Sequence, residues 1–205
     1  MCPDRAPAPV AGRVAVPEDT AAITETLALA FYEDPVWSWA FSDPERRLEQ
    51  YRAVWRLIVE SAIDGGWGWL TPGAGAAALW ILPGRPELRP EDEEGMGRRL
   101  EELLGEGAER VLDTMQRFDA AHPQEPEHYY LSLLGTHPDR RGRGEGMSLL
   151  AESLTRLDAE GAPAYLESSN PANEPRYERL GFETRGEFEL GEDGPNVMRM
   201  WREPR

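Results

Sequence analysis

The 205-residue sequence contains no lysine; all 22 basic residues are arginine. Covalent chemistry through a lysine Schiff base is thereby excluded. Cysteine is almost as scarce. Cys2 stands alone, so no disulfide can close within the chain, and its Ala/Pro-rich surroundings offer nothing to activate a thiol. The histidines are His122, His128 and His137; their spacing is not that of metal ligands, and no metal is expected. Long apolar runs are missing too. The longest, Ala76 to Leu82, is far too short to span a bilayer, and residues 1–11 lack the apolar segment of a signal peptide. Positive charge is in deficit. Against 38 acidic residues stand 22 basic ones, for a formal net charge of -16, which argues against a nucleic acid or a membrane surface as partner. These absences predict a cytoplasmic protein; a monomer or homodimer is expected, and nothing in the residues selects between them.

Length predicts a single domain over residues 12–205 behind a flexible tail of residues 1–11. Arg13 to Val16 reads as a short strand. Pro17-Glu18-Asp19 opens a helix with Ile23, Leu27 and Phe31 as its buried stripe, and Pro35 ends it. Trp37, Trp39 and Phe41 recur at spacing two, which fits an extended segment. A second helix starts near Pro44, carries Tyr51, Val54, Trp55, Ile58 and Ala62, and stops at Gly65-Gly66. Trp67 to Thr71 and Ala76 to Leu82 read as a hairpin turning through Pro72 to Gly75. Pro83 to Glu94 is polar and loop-like; helices follow around Arg98 to Leu104 and Ala108 to Ala121. A strand is predicted over Tyr129 to Thr136, then a loop, then a helix to about Glu160, striped by Met147, Leu150, Leu154 and Leu157 and closed by Gly161. Ala164 to Glu167 is the next strand. Asn173 caps a short helix that tolerates Pro175 in its first turn and ends at Gly181. Phe182 to Trp201 reads as two strands broken near Gly191 to Pro195. Strands alternating with helices indicate an α/β or α+β sheet protein.

The most informative stretch is Arg140-Arg141-Gly142-Arg143-Gly144-Glu145-Gly146. In a strongly acidic chain, three arginines fall here within four positions, interleaved with glycines. A strand feeding a Gly/Arg loop that opens a helix makes an anion cradle, because the backbone can approach closely and free N–H groups and the helix dipole favour negative charge. A P-loop would need a lysine, and the chain has none. A dinucleotide fingerprint would need a third glycine where Met147 stands. What remains is Arg141-x-x-Gly144-x-Gly146, directly after Leu134-Gly135-Thr136-His137-Pro138.

This pattern resembles the acetyl-CoA-binding motif of the GNAT superfamily of N-acetyltransferases. Tyr177-Glu178-Arg179-Leu180-Gly181-Phe182 resembles the same family's later Tyr-x-x-x-Gly-Phe motif. Ala30 to Pro35 and Tyr165 to Ser168 are similar to the puromycin-N-acetyltransferase-like branch. The resemblance covers residues 12–205. It implies a mixed, mostly antiparallel central sheet with a splayed parallel strand pair, flanked by helices. It also implies acetyl-CoA as co-substrate. Backbone N–H groups from Gly142 through Gly144, Glu145 and Gly146 to Met147 would wrap the pyrophosphate, with Arg141 and Arg143 adding charge. Leu134, Gly135 and Thr136 would bond the pantetheine arm through their backbone, and an N–H near Leu134 would polarise the thioester carbonyl. Asn170 and Asn173 lie where the family contacts the cofactor, or are a turn residue and a helix cap. Glu145 replaces an apolar residue of the family; beside phosphates its carboxylate is expected to turn to solvent.

Tyr177 stands where the family places the acid that protonates the departing thiolate. The resemblance requires no covalent intermediate. The base is left open among Glu33, Asp34, Glu127 and Glu167, with His128 and His137 as further candidates. Trp37, Trp39, Phe41 and Tyr129 are either an aromatic wall for the acceptor or packed core. The implied activity is direct acetyl transfer from acetyl-CoA to a primary amine of a small molecule, a xenobiotic or antibiotic included. Acetylation of a protein or peptide, and a non-catalytic acyl-CoA-binding sensor, stay open; a sensor would be indifferent to Tyr177→Phe.

Overall fold

The computed structural model describes residues 11–191 and 193–205; Cys2 and most of the expected tail lie outside them. Seven strands form one sheet in the order β1-β2-β3-β4-β5-β7-β6. They are β1 (Arg13–Val14), β2 (Gly68–Leu70), β3 (Ala76–Ile81), β4 (Tyr129–Thr136), β5 (Ala164–Ser168), β6 (Glu183–Glu189) and β7 (Asn196–Arg202). All neighbouring pairs are antiparallel except β4 and β5, which run parallel at the centre. The helices are α1 (Thr20–Ala30), α2 (Pro35–Ala40), α3 (Arg47–Asp64), α4 (Pro90–Leu104), α5 (Ala108–Ala121), α6 (Glu145–Glu160) and α7 (Glu174–Arg179). None of the described helices is long and apolar enough to cross a membrane.

The uninterrupted apolar sequence of β3 follows from its burial on both faces. Ala77 and Leu79 pack beneath α1 and α3, while Ala76, Ala78 and Trp80 face α6. At Gly135 a Cβ would come within 2.8 Å of Leu27 and Ala30, so the glycine is what lets α1 lie on β4. The C-terminal ends of α6 and α7 are tied to β7 by one residue. Arg202 grips Asp158 at 2.7 and 2.8 Å and donates from Nε to the Leu180 carbonyl at 2.9 Å. That clamp fixes the short helix that carries Tyr177.

Two irregularities in β4 open the molecule at its centre. Leu79 pairs with Leu133 and Trp80 with Leu131, which leaves Ser132 as an extra residue in a β-bulge. Strict alternation would put Leu131 and Leu133 on one face. Instead Leu131 joins the α6-side core and Leu133 the core beneath α1 and α3. Beyond the bulge β4 also parts from β5. The two strands pair only at Tyr129–Ala164 and Tyr130–Tyr165.

The structure corrects several expectations. Trp37 and Trp39 lie in helix α2, with Phe41 at its C-cap, and Pro35 opens that helix instead of ending the one before. Asp34 decides this: its Oδ1 accepts from the N–H groups of Val36 and Trp37 at 3.1 and 3.2 Å, and a capped proline start outweighs apolar spacing over so short a segment. The expected loop to Glu94 ends earlier, because α4 begins at Pro90 with Glu91, Asp92 and Glu93 in its first turn. Arg13–Val14 is shorter than expected, and Pro17–Asp19 is a 3-10 turn ahead of α1. The side chain of Asn173 does not cap α7; its Oδ1 accepts from Arg176 at 3.0 Å.

Candidate active site

The Gly/Arg loop joins β4 to α6. Gly142 and Gly144 adopt φ 79° and 75°, a left-handed conformation that favours glycine. A Cβ on either would meet nothing within 4 Å, so the loop presents an open face. Gly144 stands at the N-cap of α6 and supplies no capping side chain, leaving the first N–H groups of the helix to an outside acceptor. Arg143 is exposed. Arg141 donates to the Ala30 carbonyl at 2.9 Å, which holds the loop against the end of α1. Gly146 lets the first turn of α6 seat on the end of β4, where a Cβ would lie 2.5 Å from the Thr136 hydroxyl. Met147 and Leu134 pack against the α6-side core. Thr136 is half-buried at the end of β4. Asn170 is a turn residue, its side chain accepting from the Ala172 N–H at 3.0 Å.

Glu145 does not turn to solvent. It is 2% exposed, facing Arg140 Nε at 2.9 Å in an ion pair whose angle falls short of a hydrogen bond. The Thr71 hydroxyl donates to it at 3.2 Å. Gly75 makes the room, since a Cβ there would lie 2.4 Å from its Oε2. A buried carboxylate needs a partner, and Arg140 supplies one from the adjacent turn, so Glu145 pins the loop from beneath. These residues suit a phosphate-bearing ligand such as coenzyme A: open backbone donors in front, free guanidinium charge beside them, a rigid anchor behind. Gly144→Glu is expected to weaken coenzyme A binding by about 100-fold or more, or about 2.7 kcal/mol. It strains a left-handed position and sets a carboxylate in the open face. Titration calorimetry of wild type and variant checks this.

A cavity of about 360 Å³ lies between the sheet and α1 to α5, within the size range of small-molecule sites. Tyr177, Leu134, Ser168 and Asn173 line the end where β4 and β5 part. Tyr177 is 9% exposed, and burial, then the charge of Asp34, push its phenol up to about 12. Of the expected aromatic wall only Trp37 lines the cavity, stacked on Phe118 at 5.6 Å. Phe41 is core, edge-on to Tyr51; Trp39 lies under Arg110; Tyr129 donates to Glu160 at 2.7 Å. Tyr130, Phe31 and Phe118, which the sequence did not mark as part of that wall, take their places.

The lining also separates the candidate bases. Glu33 and Glu127 are exposed and lie outside it. Asp34 is committed, one oxygen capping α2 and the other accepting from Ser169 at 2.7 Å. Glu167 is free. Its side chain is 1% exposed, and neither oxygen has a hydrogen-bond partner among the described residues. Burial and its charge hold the phenols of Tyr130 and Tyr165 well above their ordinary range. Glu87 accepts from Ser132, the bulge residue, and burial reinforced by Glu167 and Asp119 pushes it up to about 7.

That shift has a sign. Protonated Glu87 contributes stability fully below its ordinary value near 4.5 and loses it as pH rises through about 7. Glu87→Gln keeps the neutral form. The variant is expected to melt above wild type at pH 8, with the gap closing toward pH 5; melting curves across that range check it.

His122 and His128, six residues apart, meet at 3.1 Å through their Nε2 atoms. His128 Nδ1 lies 2.8 Å from the Pro126 carbonyl, which can only accept. His128 therefore carries its proton on Nδ1 and accepts at Nε2, and burial keeps it neutral by lowering its pKa. His122 must then donate from Nε2. Its Nδ1 is left facing Glu167 Oε1 at 3.7 Å. His137 is a local cap instead, accepting from the Asp139 N–H at 3.3 Å.

The family described as "Acetyltransferase (GNAT) domain" matches residues 120–203, which hold both motifs. An uncharacterised N-acetyltransferase of Schizosaccharomyces pombe is 27% identical over 191 residues, 87% of this chain and 77% of that one. A solved structure from Corynebacterium glutamicum, described as histone acetyltransferase HPA2 and related acetyltransferase, superposes with a TM-score of 0.69 at 25% identity, covering 95% of this chain and 96% of that one. The polyamine N-acetyltransferase of Drosophila melanogaster has the same fold, with a TM-score of 0.66 at 16% identity over 94% of this chain and 99% of that one. The bulged, splayed sheet gives the chain the GNAT fold, and residues 120–203, which hold the glycine loop and Tyr177, match the GNAT acetyltransferase domain.

Proposed function

We propose that this enzyme moves an acetyl group directly from acetyl-CoA to the primary amine of a small molecule bound in the cavity. Glu167 acts as the base and Tyr177 as the acid. The observation that carries this reading is that one small cavity holds both a buried, unpartnered carboxylate and a buried phenol, at the point where the two central strands part. Acetyl-CoA, when bound along the loop and between those strands, supplies the activated acetyl thioester.

An alkylamine in water titrates near about 10.4, so at neutral pH it enters as its ammonium form. Glu167 accepts one of its protons and so gains the partner it lacks. His122 Nδ1 is the next acceptor, and His122, 27% exposed in its side chain, leads that proton toward solvent. In the net reaction one C–N bond forms, one C–S bond breaks, and sulfur requires a proton. Tyr177, protonated at neutral pH, offers its O–H to the departing sulfur. Leu131 to Thr136 of β4 have no β5 partner, so their backbone groups on that side are open to the pantetheine arm. Arg143 and the N–H groups of Gly142 to Met147 take the phosphates; Gly135 serves by its lack of a side chain. Asn173 borders the same end of the cavity.

A compact amine suits a cavity of this size. The polyamine N-acetyltransferase of Drosophila shares the fold, and the puromycin-N-acetyltransferase-like sequence pattern adds aminonucleosides to the candidates. The enzyme acts in the cytoplasm, as a monomer or homodimer, without metal or nucleic acid. The test is an amine panel with acetyl-CoA, read by release of free thiol, spanning aminonucleosides, aminoglycosides, alkylamines and peptides. Turnover of a small amine with a sequential rate law is expected. A ping-pong pattern, or turnover of peptides alone, overturns the reading.

A further inference from the structure

The cavity carries a charge imbalance that acid–base chemistry on one amine does not use. Five carboxylates line it: Asp34, Glu87, Glu93, Asp119 and Glu167. No arginine or histidine among the described residues lines it, although the chain has 22 arginines. Surface carboxylates would need no explanation. Here Glu167 is 1% exposed in its side chain with neither oxygen bonded, and buried charge is ordinarily paired. His122 Nδ1 stands 3.7 Å from Oε1 without bonding it, so among the described residues the carboxylate has no hydrogen-bonded cation.

The carboxylates are also spread out. Glu93 on α4 and Asp119 on α5 are exposed, Glu87 is half-buried, and Glu167 is buried. They form an acidic lane from solvent to the β-bulge, where Ser132 bonds Glu87. Apolar groups (Leu88, Leu112, Met115 and the stacked Trp37 and Phe118) line the same space. Such walls suit methylene groups.

We propose that the acceptor carries two cationic groups joined by a short apolar linker. One is the amine that reacts at Glu167 and Tyr177, and the other is held by Glu87 and Asp119. This rests on the acetyl-transfer reading above and deepens it. The ligand class is an aliphatic diamine or an aminoalkyl guanidine; both present a second cation on a methylene chain. Seating a cation beside Glu87 favours its carboxylate form, so binding releases protons near neutral pH. Attraction along an exposed acidic lane also weakens with salt.

The experiment compares 1,4-diaminobutane, 1,5-diaminopentane and 4-aminobutylguanidine with butylamine and pentylamine, using acetyl-CoA and the full chain. A kcat/KM at least about 100-fold higher for the dications is expected, as a two-decade difference is the scale of one well-placed charge contact. Glu87→Gln should cut the dication-to-monoamine ratio at least 10-fold. In parallel, calorimetry of 1,4-diaminobutane in two buffers of different ionisation enthalpy should detect more proton release in wild type than in Glu87→Gln. Equal use of monoamines and dications overturns the inference and leaves the acetyl-transfer reading standing. If no amine releases thiol, that reading fails; diamine binding is then judged by calorimetry alone, and binding no tighter than that of butylamine overturns the inference as well.

Discussion

Tyr177→Phe is expected to lower kcat about 100- to 1,000-fold, the usual worth of a positioned acid, while the KM for acetyl-CoA changes little. The substitution removes one oxygen and keeps the ring, which packs edge-on to Phe182 at 6.1 Å. The phenol makes no hydrogen bond among the described residues that the fold would lose, so the melting temperature should hold within a few degrees. The phenol is also well chosen as a donor that never ionises in the resting enzyme. Burial and Asp34 push it up to about 12, and Asp34 is fixed by the α2 cap and by Ser169. The departing thiol, near 8.5 in water, is itself raised in apolar surroundings, which narrows the gap between donor and acceptor. Thiol release under steady state, together with calorimetric coenzyme A affinity, checks the expectation. Undiminished turnover would remove Tyr177 from the chemistry and leave the chain closer to an acyl-CoA sensor.

Glu167→Gln should move activity and stability in opposite directions. An amide cannot take the ammonium proton, so kcat/KM at pH 7 is expected to fall at least about 100-fold. Only amine already neutral in solution would react, and the residual rate should rise about tenfold per pH unit until the amine's own pKa near 10. Wild type should instead level off at lower pH, because Glu167 removes the proton on the enzyme. Stability should rise. The carboxylate is buried without a partner, an arrangement that costs folding free energy and is retained at functional sites. A variant with less activity and a higher melting temperature has lost a base and kept its fold. Reduced activity with a lower melting temperature would mean that Glu167 supports the architecture instead.

Much of this enzyme is local in the chain. The glycines at 142, 144 and 146 sit where backbone geometry demands them, and β4 runs over Tyr129–Thr136 as its pattern predicts. The α6 helix ends before a left-handed Gly161, with φ 67°. Such features depend on φ preferences, caps and periodicity over a few residues, and adjacent letters state them. The geometry of the proposed donor loop was legible for that reason. Errors came where two local signals competed. The spacing of Trp37, Trp39 and Phe41 suggested extension, but Asp34 and Pro35 nucleate a helix, because capped N–H groups outweigh so short an apolar pattern.

The acceptor side is written in no single segment. Glu145 read as a mismatch near phosphates, because its partners, Arg140 and Thr71, sit on separate elements and only packing brings Thr71 to it. Glu167 was one carboxylate among four candidates; burial left it unpartnered, while the α2 cap and Ser169 used up Asp34. His122 drew no notice as a proton acceptor, since its neighbours His128 and Glu167 come from different parts of the chain. The bulge at Ser132 could not be read from β4 alone, because a bulge is a property of pairing with β3. The sequence by itself determined the central strands and the glycine loop, both products of short-range backbone physics. Tertiary structure decided which charges are buried without partners, and thus the shape and sign of the cavity proposed for the acceptor, because desolvation belongs to the packed whole.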